Sequence, residues 1–136
     1  MTTLELQSLV FQFENCTLPR ESWTHRAHLS VALWYLFHFP REEATGRIRN
    51  GIQRYNESLG IGTGYHETMT LAWIEILTGF LQESSAVANL EELVERATVR
   101  FGISNYLLQF FSRERLFSEL ARREWVEPDL ARLTIE

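Results

Sequence analysis

Two stretches of this chain, Leu29 to Phe37 and Met69 to Leu77, are apolar on almost every side of any helix drawn through them. A helix without a polar face has to be packed on several sides, so the remainder of the fold must be arranged around these two. In the first, Leu29, Val31, Ala32, Leu33, Trp34, Tyr35, Leu36 and Phe37 leave little polar surface. In the second, Met69, Leu71, Ala72, Trp73, Ile74, Ile76 and Leu77 do the same. The expected architecture is all-α: a compact helical bundle of five to seven helices with two central apolar helices packed together. Trp34 is expected in its interior.

Local signals place the other elements. Thr2 and Glu5 fit a capping box ahead of a helix that runs through Phe13. Pro19 keeps Leu18 out of helical geometry, and Thr24 suits the N-cap of a second helix ending near His38. Pro40 stops that helix and fits the first position of a third, whose Ala44, Ile48, Ile52, Tyr55 and Leu59 form one stripe. Gly60-Ile61-Gly62-Thr63-Gly64 reads as a turn, not as a phosphate-binding loop, because no strand precedes it. A fourth helix is expected from about Tyr65 to Gln82 and a fifth from Asn89 and Glu92 onward. Ile103 to Phe111 and Arg113 to Arg123 look helical, with Ser112 and Ser118 as caps or breaks. No run alternates apolar and polar residues as a sheet strand would. Residues 1–136 are expected to form a single helical domain, with 125–136 an extended tail.

Composition narrows the function classes. All 13 basic residues are Arg, spread among Glu in a chain of net charge −5, which is not a nucleic-acid footprint. Without Lys there is no Lys nucleophile or Schiff base. No nucleotide cofactor is indicated. Cys16, the single cysteine, reads as a bystander thiol. The N-terminus has no basic start or secretory apolar run, and neither apolar stretch reaches the ~20 residues that span a bilayer. A cytoplasmic location, with no membrane or nucleic-acid partner, is therefore expected.

Chemistry gathers where polar residues interrupt the two apolar helices. His25 and His28 are three apart, so they share a face, and that face continues through Leu29, Ala32, Tyr35 and Leu36 into the core. His66, Thr70, Trp73 and Leu77 follow one line on the fourth helix, with Glu67 beside it. Facing helices of a bundle commonly build metal sites from such residues. His25, His28 and His66 are thus candidate ligands for a divalent transition metal, Zn, Cu, Fe or Ni. Glu67, Thr70 and Tyr65 are candidate catalytic residues: Glu67 as fourth ligand or general base, Tyr65 and Thr70 orienting water or substrate. Without a metal, imidazoles near a carboxylate can do acid–base work. The plainer alternative is that each His is a hydrogen-bonded core residue, Glu67 favours the helix dipole and Thr24 only caps. His38, off that face, reads as a C-terminal charge partner.

Trp23-Thr24-His25-Arg26-Ala27-His28-Leu29, Tyr55-Asn56 and Tyr65-His66-Glu67-Thr68-Met69-Thr70, taken jointly, resemble a family of small, uncharacterised bacterial helical proteins. Ser112 to Ser118 and Trp125 to Leu130 look like that family too, so the likeness spans about Phe13 to Leu130. It implies a site at the histidines without naming a reaction. It also implies a part for the Ser112–Phe117 segment, where Arg113 or Arg115 would bind an anionic group.

Three functions follow as expectations: a small metalloenzyme in which a His-bound ion acts on an unidentified small molecule; a binding or sensing module using the same pocket; or a structural protein with core histidines. An enzyme needs an open coordination position and a route to solvent. A structural protein needs every imidazole satisfied internally.

Overall fold

The computed structural model describes residues 1–136 except Thr63, Ser85, Val87, Ala88, Ile135 and Glu136. Among the described residues there are seven α-helices and no strand: α1 (Thr3–Glu14), α2 (His25–His38), α3 (Arg41–Ser58), α4 (Glu67–Glu83), α5 (Leu90–Phe101), α6 (Arg113–Leu116) and α7 (Glu119–Arg123). Two single 3-10 turns, Arg20–Ser22 and Tyr106–Gln109, lie in the connections. No helix among the described residues is long and apolar enough to cross a membrane.

The all-apolar helices sit where their surfaces require. α2 packs against α1, α3, α4 and α5, and α4 packs against α2, α3, α5 and α7. Leu29, Leu33 and Tyr35 of α2 and Ile74, Ile76 and Leu77 of α4 are among the largest fully buried side chains. Trp34 is a correction. It is only partly buried, its ring set against Tyr35, His38 and Phe39. Its neighbour Tyr35 takes the interior position and donates a 2.5 Å hydrogen bond to the Glu14 carboxylate at the end of α1.

Caps fix most helix starts. Thr2 and Glu5 form the reciprocal capping box, and Thr24, Asn89, Ser112 and Ser118 each accept a backbone N–H in the first turn of the helix that follows. α4 starts two residues later than its apolar pattern predicts, because His66 is its N-cap. The expected helix over 103–111 is a single 3-10 turn, whereas 113–123 is helical in two short pieces with the break at Ser118, as expected. Gly60 takes positive φ (75°) in the turn after α3, as expected; Thr63 of that turn lies outside the described residues.

The C-terminal segment is not loose. Thr68, fully buried on α4, donates to the Glu124 carbonyl (2.8 Å) and accepts from Val126 N–H (3.1 Å). Asp129 accepts from the backbone N–H and hydroxyl of Ser112, both at 2.7 Å, and Leu130 N–H donates to the Phe110 carbonyl (2.8 Å). Residues 124–134 carry no helix yet strap α6 and α7 to α4.

Phe13, Trp23 and Tyr55 form an aromatic cluster joining α1, the 19–24 connection and α3; Phe13 and Trp23 stack at 4.8 Å, and Trp23 and Tyr55 meet edge-on at 5.4 Å. Gly51 is the α3 residue that makes room for it. A methyl group there would stand 2.7 Å from Phe13 Cε2, and the ring is locked by its neighbours. Gly46, on the same helix, has nothing within 4 Å of that position. Gly46→Ala should therefore stabilise the protein by about 0.5–1 kcal/mol through helix propensity. Gly51→Ala should destabilise it by about 1–3 kcal/mol through overpacking. Urea unfolding of the two variants checks the opposite signs.

Candidate functional site

Between α2, α3, α4 and the 104–117 segment lies a cavity of about 760 Å³. His25, His28 and His66 all line it, as do Trp23, Ala32, Ile52, Asn56, Met69, Thr70, Trp73, Leu107 and Leu116. The starts of the two apolar helices thus bring the three rings to one space. The rings nonetheless have different jobs.

His66 is committed to the fold. Its Nδ1 accepts the Met69 N–H (3.1 Å), capping α4, and its Nε2 is 2.7 Å from the Leu116 carbonyl at the end of α6. A carbonyl can only accept, so Nε2 carries the proton and Nδ1 has none. This neutral form leaves no lone pair for anything else. Burial holds its pKa below the ordinary value, the Leu116 carbonyl opposing that in part, with the nearby Arg122 charge reinforcing it.

His25 is half committed. Its Nε2 lies 2.9 Å from the Phe101 carbonyl, which again places the proton there, and its ring packs 5.1 Å from Trp73. His28 packs against Trp23 with ring centroids 3.9 Å apart. Burial pushes its pKa down to about 4; the Thr24 carbonyl draws it up in part, and His25 lowers it further. Near pH 7 it is neutral.

Among the described residues no group of three or more His, Cys, Asp or Glu side chains is placed to hold a metal ion. His25, His28 and His66 share the cavity, and a ligand nitrogen would need the lone pair that His66 here gives to the Met69 N–H.

The candidate catalytic residues are placed as follows. Thr70 lines the cavity, with its hydroxyl donating to the His66 carbonyl at 2.8 Å. Glu67 and Tyr65 do not line it. Glu67 is held bidentately by Arg49 of α3 (3.1 and 2.6 Å) and accepts from the Tyr65 hydroxyl at 2.5 Å. Burial, then the Glu67 carboxylate, pushes the Tyr65 phenol up to about 12. This trio ties α3 to the start of α4 and leaves Glu67 no freedom to serve as fourth ligand or as base in the cavity. His38 is exposed at the end of α2 beside Trp34.

Other lining residues carry no signal in spacing. Asn56 is buried, lines the cavity and forms no side-chain hydrogen bond among the described residues. It falls in the Tyr55-Asn56 pair of the family resemblance, which is the one hint the sequence offers. Arg20 and Arg113 are exposed and line the cavity, so they stand at its mouth, with Ser104, Asn105 and Phe117. Arg115 instead donates to the Glu127 carbonyl. No family model, curated protein or solved structure matches the chain.

The buried histidines set a pH dependence. A pKa lowered on folding means the unfolded chain binds protons first. The stability from neutral His28 and His66 is complete above 6.5 and drains as pH falls from there toward about 4 for His28. His28 alone accounts for up to about 3 kcal/mol of that fall. The carboxylates held low, Glu5, Glu91 and Asp129, act only below their ordinary range near 4. Unfolding free energy measured between about pH 7 and 5 should fall in the unaltered protein and be clearly flatter in His28→Gln.

Proposed function

We propose that this protein binds a small, largely apolar organic molecule in the cavity between α2, α3 and α4. The observation that carries the reading is the cavity itself. Protein interiors close up to crystal-like density, and open volume forfeits dispersion contacts on every wall. A structural protein with core histidines has no use for about 760 Å³ of unfilled space beneath its two central helices. Ligand pockets occupy roughly 300–1,000 Å³ and are mainly apolar with a few placed polar groups. Leu29, Ile48, Ile52, Met69, Trp73, Ile74 and Leu77 supply apolar wall here, and Asn56, Thr70, His25 and His28 supply polar points.

This is a form of the binding-module reading. The metalloenzyme reading loses support because His66 and Glu67, the residues on which it rests most, are both held by bonds that build the fold. The neutral His28 ring and the free Nδ1 side of His25 are suited to hydrogen-bonding an uncharged part of an organic ligand, and Trp23 and Trp73 to packing against its rings or chains.

The test uses N-phenyl-1-naphthylamine, a neutral apolar dye whose emission rises when it leaves water. Saturable binding of one dye per chain, with quenching of tryptophan emission, is expected because Trp23 and Trp73 line the cavity. Ala32→Phe and Thr70→Phe, from facing helices, should each weaken binding about tenfold or more by filling the space. No saturable binding, or binding unchanged in both variants with their helical circular dichroism intact, would overturn the reading.

A further inference from the structure

The cavity's mouth carries charge of one sign. Arg20 and Arg113 line it, and no Asp or Glu does, in a chain whose net charge is −5. Six other guanidinium groups have carboxylate partners: Arg26 with Glu95, Arg41 with Glu75, Arg47 with Glu43, Arg49 with Glu67, Arg96 with Glu92 and Arg100 with Glu83. Arg20 and Arg113 make neither a salt bridge nor a side-chain hydrogen bond among the described residues, although each has a Glu next to it in sequence. Two unspent guanidinium groups at the rim of an apolar cavity are placed for an anion. Each offers a planar fork of donors, and the low-dielectric wall beside them strengthens the attraction relative to open water.

The inner end differs. His28 presents a neutral ring and Asn56 an uncharged amide, so an anion seated against them would be desolvated with no counter-charge. Polarity therefore orients the ligand: body inside, charge outside. We propose that the ligand is an amphipathic carboxylate, its apolar or aromatic body inside the cavity and its carboxylate at the mouth, engaged by Arg20 and Arg113. This rests on the apolar-cavity reading and adds to it the charge and the direction of binding.

The experiment compares 1-naphthoate with 1-naphthamide, which share ring and size and differ in charge, as displacers of N-phenyl-1-naphthylamine at neutral pH. Naphthoate should displace the dye at roughly tenfold lower concentration, the value of a charge-assisted hydrogen bond. In the double variant Arg20→Gln/Arg113→Gln that ratio should fall to about one. In the unaltered protein, added sodium chloride should shrink it, because the rim is exposed to solvent. Naphthamide equal to or better than naphthoate, or a preference that survives both the double substitution and high salt, would overturn the inference while leaving the apolar cavity standing. Failure of the dye itself to bind would remove the cavity reading and this inference together.

Discussion

The imidazole of His66 joins the first turn of α4 to the last residue of α6, and much of the molecule's arrangement follows from that one ring. A helix N-terminus has backbone N–H groups without internal partners, and here one is met by Nδ1. The same ring then spends its only proton on the Leu116 carbonyl. The bond from Met69 requires the neutral form, so the cap on α4 holds only where the ring is shielded from protonation. Thr68 and Thr70 extend the junction, the first gripping the chain at Glu124 and Val126, the second bonding back to the His66 carbonyl. The C-terminal half of one cavity wall, including Leu116 and Phe117, is held in place from this point.

Three histidines come to face one space in this way, each with its own bonds. Spacing brings His25 and His28 to one face and the packing of α2 on α4 brings His66 to the same cavity, but hydrogen bonds decide what each nitrogen does next. His66 is used up, His25 donates to the end of α5, and His28 packs tilted against Trp23 with its charge suppressed. Glu67 is likewise withdrawn by Arg49 and Tyr65. Around them remain a largely apolar volume and a cationic rim, features that suit an organic ligand better than an ion.

The parts legible in sequence are those governed by local or near-local physics. Apolar patterning marked α2 and α4 as central, and Thr2, Thr24, Asn89, Ser112 and Ser118 announced their helices because hydroxyl and amide caps act within one turn. His66 was visible as an inward residue but not as a cap, since imidazole is not among the usual capping groups. The 103–111 segment reads as helix and is a 3-10 turn: so short a segment is set by what it docks against, and Leu130, whose N–H meets the Phe110 carbonyl, lies too far along the chain for periodicity to register. Trp34 misses the interior place expected of it while Tyr35 keeps its own, because an all-apolar helix does not say which side has the deepest neighbour; Glu14 on α1 decided it. A cavity is harder still to foresee, being the volume that packing leaves over, and Arg20 at its rim belongs to no pattern.

The central claim is that neutral, hydrogen-bonded histidines frame an organic-ligand cavity instead of coordinating an ion. The imidazole nitrogen-15 spectrum, recorded at neutral pH before and after one equivalent of zinc, tests it most directly. The account predicts His66 protonated on Nε2 alone, with its nitrogens unmoved by the metal. Concerted zinc-induced shifts of His25, His28 and His66 would contradict it.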